Sequence, residues 1–306
     1  MNKKFSITLL AASAALFSAG AQADTGKLLL TGGVSGIEGA AGGGLTPWAV
    51  IGTNATAGET GFSAFVSTAS TKDYGLNIYG AAVAFDDRFE FSIAQQDLNT
   101  RSAVAALGLP GLHLKQNIIG AKVRVTGDAI LDSDSVMPQI AVGLQYKTLG
   151  STGLDPTLNA LGAKRNGTDL YVSATKLFLG QGVLLNGTLR ATKANQNGLL
   201  GYGATLGGNE DRYSLQPEFS AAVLLSKNVV IGAEYRFMRN KLEHAGRTAG
   251  LGSALRSEDW KDIFIAWAPN KNMSVTLAYV DLGVIVPGTT DSRKQQGYFL
   301  STQFAY

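Results

Sequence analysis

The sequence runs to 306 residues with 38 glycines, 7 prolines and no cysteine, and its 26 basic residues stand against 23 acidic ones. The missing cysteine excludes disulfides, thiolate metal sites and a cysteine nucleophile. The near-balance of charge excludes the basic stripe that a nucleic-acid partner requires.

The first element is an export signal. Lys3 and Lys4 supply a basic head, Phe5 to Phe17 an apolar run and Ala21-Gln22-Ala23 a small-residue cleavage site. A membrane helix is the poorer reading, because Ser13 and Ser18 break the run and it falls short of the roughly 20 residues needed to cross a bilayer. Residues 1–23 are therefore read as a secretory signal peptide, cleaved after Ala23. Loss of Lys3 and Lys4 leaves 24 basic residues, close to neutrality. With no cysteine there is no lipid anchor at the cleavage site. An exported chain without disulfides needs another source of stability, and an extensive hydrogen-bonded sheet provides one. No later run of about 18 apolar residues appears, so no membrane helix is expected.

Residues 24–60 form a Gly-rich N-terminal segment. It reads Lys27-Leu28-Leu29-Leu30, then a Gly/Ala stretch from Gly36 to Gly44, then Thr46-Pro47-Trp48-Ala49-Val50-Ile51. The stretch lacks the Gly-Lys-Ser/Thr ending of a nucleotide loop, and no helical pattern follows it, so close backbone packing is preferred over phosphate binding. The segment is expected to enter a barrel as a plug or to add two strands to it.

From residue 61 to residue 306 the chain alternates apolar and polar residues in stretches of strand length. In chain order these are Phe62 to Ser70, Tyr74 to Phe85, Phe89 to Gln96 and Gln116 to Val125. Gln139 to Thr148, Thr168 to Phe178, Leu184 to Thr192 and Tyr213 to Leu225 follow. The last four are Val229 to Arg239, Trp260 to Ala268, Met273 to Asp281 and Gln295 to Tyr306. Tight turns at Asp86-Asp87, Leu179 to Gly182, Ser226 to Asn228 and Pro269 to Asn272 alternate with long connections, with Thr126 to Pro138 the exception. Such sorting by parity belongs to a transmembrane antiparallel up-and-down β-barrel, not to a soluble sandwich. Twelve strands are predicted, with fourteen the alternative if residues 24–60 contribute two.

The closing strand places Tyr298, Leu300, Thr302, Phe304 and the terminal Tyr306 on one face. Alternating apolar residues ending on an aromatic resemble the C-terminal membrane-assembly signal of outer-membrane barrels, with Tyr in place of the usual Phe. The expected location is the Gram-negative outer membrane, and the expected partners are its lipid and the barrel-assembly machinery.

Three blocks, "KLLLTGGVSGIEGAAGGGLTPWAVIG" from Lys27, "LLNGTLRATKAN" from Leu184 and "VTLAYVDLG" from Val275, resemble an uncharacterised Gram-negative family, domain of unknown function family 3034. The resemblance extends over nearly all of the mature chain and implies a compartment but no mechanism.

Because an ionised side chain is costly in hydrocarbon, the polar face of each strand is expected to line the lumen. The lumen-lining candidates are Glu90, Lys122, Arg124, Lys147, Asp169, Arg190, Glu218, Glu234 and Arg236. Lys176 is a misfit on an outward face, placed to reach toward headgroups. Tyr74, Phe178, Tyr213, Phe237, Trp260, Tyr279 and Tyr298 are expected in lipid-interface girdles. His113 and His244, the only imidazoles, fall in predicted loops without a wall serine beside them, so no catalytic, cofactor-binding or metal residue is assigned. The expected function is passage of small solutes through a mixed-charge lumen. A closed structural or adhesive barrel and an outer-membrane hydrolase are the alternatives.

Overall fold

The computed structural model of the protein describes residues 27–129, 136–208 and 210–306. The expected signal peptide lies outside them, as does part of the Thr126 to Pro138 connection. Two short strands, β1 (Val34–Ser35) and β2 (Ala41–Gly42), pair with each other. Twelve long strands follow, and they close into one barrel. They are β3 (Thr60–Thr71), β4 (Gly75–Phe85), β5 (Phe89–Asn99), β6 (His113–Thr126), β7 (Gln139–Leu149) and β8 (Asn166–Phe178). The second half comprises β9 (Val183–Thr192), β10 (Ser214–Ser226), β11 (Val229–Arg236), β12 (Trp260–Asn270), β13 (Met273–Asp281) and β14 (Gln296–Ala305).

Every neighbour in the barrel is antiparallel and sequential, and β14 closes on β3 with Leu300 opposite Thr68. Closure matters because hydrocarbon offers no hydrogen-bond partner to an open strand edge. The strand count is twelve, not fourteen: β1 and β2 form their own two-stranded sheet.

Alternation assigns the two walls. In β7, Val142, Leu144 and Tyr146 are exposed outside while Ala141, Gln145 and Lys147 are buried inside. The same rows of exposed aliphatic and aromatic side chains continue round the barrel through Ile93, Ile119, Leu189, Ile263 and Leu300. An apolar surface this continuous faces lipid, and the fold is a transmembrane β-barrel.

At one end the connections are short. Asp86 and Asp87 both have positive φ, as a tight hairpin turn matched to strand twist requires. At the other end lie the long connections, which carry the helices α1 (Asp155–Ala160), α2 (Lys241–Thr248) and α3 (Pro287–Thr290). Two connections depart from the parity: the one before Gln139 is long on the turn side, and the one between Thr71 and Gly75 is short on the loop side.

Phe178, Tyr213, Phe237, Tyr279 and Tyr298 are exposed on the outer wall, with Tyr279 and Tyr298 packed edge-on at 5.6 Å between ring centroids. Tyr74 and Trp260 are not girdle residues, because both are buried inside. The register explains Trp260: it stands directly opposite the inward-facing Arg236, and directly opposed residues share a face of the sheet.

Leu277 lies mid-strand on the outer wall and is 47% exposed to the membrane side. Replacing it with Arg is expected to destabilise the barrel by about 2–4 kcal/mol. Urea unfolding of the protein in lipid vesicles measures the loss.

Candidate functional site: the barrel lumen

The inner wall has two unlike arcs. Strands β5 to β11 present the charged and amide side chains, including Glu90, Lys122, Lys147, Asp169, Arg190, Glu218, Glu234 and Arg236, all buried. Strands β12, β13, β14, β3 and β4 present inward Phe264, Ala278, Phe299, Phe65 and Ile78, with Asp262 the single charged residue on that inner face.

Residues 27–59 run through the lumen and dock on the charged arc. At the centre is Glu38. Its carboxylate meets Lys147, Arg190 Nη2 at 2.8 Å and Arg236 Nη2 at 3.2 Å. The three cations are shared with wall acids: Lys147 reaches Asp169 at 2.7 Å, and Arg190 reaches Glu218 at 2.5 Å and Asp169 at 3.3 Å. Arg236 contacts Glu218 at 3.2 Å. Three acids and three bases, all buried, thus neutralise one another. Unpaired, any of them would be strongly unfavourable.

Two further carboxylates receive backbone N–H groups of the segment. Glu90 accepts from Ala41 at 3.1 Å and Gly52 at 2.7 Å, while Lys122 beside it pairs at 3.1 Å and donates to the Ala41 carbonyl at 3.0 Å. Glu234 accepts from the N–H of Leu45 at 2.7 Å and Thr46 at 3.1 Å, and from the Thr46 hydroxyl at 2.6 Å. The Gly-rich composition follows from this approach. A Cβ on Gly43 would lie 2.5 Å from Glu234 Oε1, so the backbone comes this close only without a side chain. Hydroxyls and amides complete the attachment, with Ser173 and Thr188 donating to the Pro47 carbonyl and Gln139 to that of Ala49.

Of the nine lumen candidates, eight belong to this buried set. Arg124 stands apart at the turn-end rim, 21% exposed by side chain and paired with Asp87 at 3.1 Å. Lys176 also lies at that end, where its ammonium donates to the Asp128 carbonyl at 3.5 Å.

The family of proteins of unknown function DUF3034 matches residues 31–303. The chain belongs to the DUF3034 family. No protein of curated function matches it in sequence. Solved structures similar to it include the KdgM porin, with 10% identity, 80% of this chain and 99% of that chain covered, and a TM-score of 0.49. The NanC porin is similar at 7% identity, covering 79% and 98%, with a TM-score of 0.49. The COG4313 outer membrane channel of Pseudomonas putida F1 is similar at 10% identity, covering 83% and 96%, with a TM-score of 0.45.

In this DUF3034 chain His113 lies at the start of a strand, whereas His244 lies in the long connection before β12, as the sequence predicts. His113 opens β6 and its Nδ1 sits 2.6 Å from Asp97, while His244 lies in α2 against the Gly207 carbonyl. Among the described residues neither has a serine hydroxyl as its partner. The loops themselves are tied together over the barrel. Asp211 pairs with Lys164 and Lys193, and the hydrogen bond from Lys164 holds its carboxyl below the usual carboxylate range.

Inward charge alternates with outward apolar residues on β5 to β11, which is why sequence periodicity finds that arc. On β12 to β4 the inner face mixes apolar and hydroxyl residues with the amide of Gln303, which accepts from the Ser35 N–H, so a charge-based reading of the lumen passes over this arc and over Asp262. The missed arc leaves one signal in the sequence: its strands lack inward-facing lysine, arginine and glutamate.

Arg190→Ala leaves Glu38, Asp169 and Glu218 short of a buried cation and is expected to cost about 3–5 kcal/mol. Arg124→Ala, at the solvated rim, should cost at most about 1 kcal/mol. Urea midpoints of the two variants in lipid check the contrast.

Proposed function

We propose that this DUF3034 protein is an outer-membrane channel closed by its own N-terminal segment, which passes small solutes when that segment shifts. A transmembrane barrel with a continuous lipid-facing wall supports the membrane assignment. The observation that carries the gating is how the segment is held. Among the described residues no backbone ladder joins 27–58 to a barrel strand; its attachments to the wall are side-chain hydrogen bonds and ion pairs. Such polar contacts exchange for water or for one another without opening the sheet, whereas a strand inserted in the barrel could not move. The mixed charges then act as the seat of the segment instead of as a rim around open water.

The competing reading is a closed structural or adhesive barrel, and the neutralised Glu38 cluster favours it to the extent that the seat never releases. The sequence offers a clean test because it contains no cysteine. Thr46 and Ser220 face each other with their hydroxyl oxygens 2.5 Å apart, so Thr46→Cys with Ser220→Cys places two thiols within disulfide reach. In a planar bilayer the oxidised variant is expected to be silent, and reduction should restore the discrete conductance of the wild type. Equal conductance before and after reduction would show that solutes bypass the segment. Silence of the wild type and both variant states would favour the closed barrel.

A further inference from the structure

The connection between β9 and β10 does not stay above the barrel. Its tip, Gln196–Gly198, enters the lumen from the loop end and lies buried against the charged arc. There Asn197 joins the same cations that hold Glu38. Its side-chain oxygen accepts from Arg236 Nη1 at 3.2 Å and from Lys147 Nζ at 3.4 Å, while Arg236 Nη2 and the same Lys147 ammonium meet the Glu38 carboxylate. A second link runs through glutamines. Gln116 Nε2 donates to the Asn197 carbonyl and to Gln96 Oε1, both at 3.1 Å, and Gln96 Nε2 donates at 2.7 Å to the carbonyl of Ile37, the neighbour of Glu38. Tyr202, farther along the same connection, donates to Gln116 Oε1 at 2.5 Å.

The tip holds this position against its own preferences. Gln196 and Asn197 both have positive φ, 46° and 60°. That region is disfavoured for a residue with a Cβ, and Asn tolerates it better than Gln. Three consecutive side chains each leave one buried polar atom without a hydrogen-bond partner among the described residues: Asn195 Oδ1, Gln196 Oε1 and Asn197 Nδ2. With its oxygen turned to two cations, the Asn197 amide nitrogen has nothing to donate to. Buried polar groups are nearly always paired in folded proteins, so three unmade bonds in a row mark a costly arrangement. Strain of this kind persists where it is part of a switch, and withdrawal of the tip into water relieves both the backbone and the unpaired atoms.

We propose that residues 195–198 are a latch at the loop end, which fastens the N-terminal segment in its seat and lets go before Glu38 does. Lys147 and Arg236 carry the coupling, because each bonds the latch on one side and the segment on the other. Once Asn197 withdraws, water reaches both cations and competes with Glu38 for them. The motion is confined to the tip. Leu199, the next residue, packs with Leu114, Leu149 and Leu158 in an apolar cluster, and Gly198, at φ 94°, is the joint between tip and anchor. A fixed brace is the poorer reading, since a brace gains from a relaxed backbone and complete pairing, and this tip has neither. Control therefore runs from the loops to the segment through two side chains. The latch regulates the channel proposed above and rests on that reading for conductance, though not for the coupling itself.

The test uses the full mature chain in lipid nanodiscs and in planar bilayers. Thr46→Cys gives the protein a single thiol, on the segment, and its rate of labelling by a small water-soluble methanethiosulfonate reports how often the segment leaves its seat. Adding Asn197→Ala, which removes the shared acceptor, should speed labelling at least about fivefold, as loss of a hydrogen bond to a charged group implies. Adding Gln196→Gly instead relieves the left-handed backbone and deletes an unpaired atom while Asn197 stays in contact, and should slow labelling at least about twofold. Closed times in the bilayer, measured without the Thr46 substitution, should shorten with Asn197→Ala and lengthen with Gln196→Gly. Heat-modifiable gel mobility verifies folding, and Asn197→Leu, of similar size, replaces Asn197→Ala if that variant fails. Equal labelling in all three proteins, its absence included, or faster labelling with both substitutions would overturn the latch. Labelling that shifts as expected in a barrel that never conducts would remove the channel and keep the latch. A conducting barrel in which labelling and closed times ignore both substitutions would remove the latch alone.

Discussion

Hydrocarbon gives a strand edge nothing to bond with, and the closing pair of β14 with β3 is the answer to that constraint. Once the sheet is shut, the number of strands sets its width, and twelve leave more room than inward side chains alone fill. The space must hold water or protein. In this chain residues 27–59 take much of it, and the rest of the internal architecture is organised around how they are held.

The charged arc holds them by neutralisation. Glu38 enters a wall that carries Lys147, Arg190 and Arg236 against Asp169 and Glu218, so its own charge completes the balance. Without Glu38 the cluster of Lys147, Arg190 and Arg236 with Asp169 and Glu218 would be left one negative charge short. The contact is therefore strongly favoured when made, and being built from polar groups it is also one that can be exchanged. Glycines at the approach points let the backbone come close enough for its N–H groups to donate to Glu90 and Glu234.

The opposite arc works by exclusion. Phe264, Ala278 and Phe299 offer the segment no polar anchor, so the space above it stays open under the loops. The division of the lumen into a seat and a cavity follows from where charge is placed around the ring. The proposed function draws on the seat.

Much of the barrel was legible because a strand with lipid on one side and charge on the other must alternate. Val142, Leu144 and Tyr146 against Gln145 and Lys147 show the pattern in ten residues of primary sequence, and loop parity then orders the strands. The same rule misplaced Tyr74 and Trp260, because an aromatic side chain suits a lipid interface and an apolar cavity equally well. Only the register opposite Arg236 decides for Trp260. His113 also shifted, from loop to the first residue of β6, since a single residue at an element end carries little periodic signal. By itself the sequence determined the closed, lipid-facing barrel and the inward charges of β5 to β11, because those are one-dimensional patterns imposed by the membrane. The tertiary structure decided that Glu38, remote in sequence from Lys147, Arg190 and Arg236, supplies the fourth side of their charge balance, and that Gln196, Trp260 and Asp262 border one cavity. Those groupings arise from curvature and closure, which bring distant segments together and leave no periodic trace along the chain.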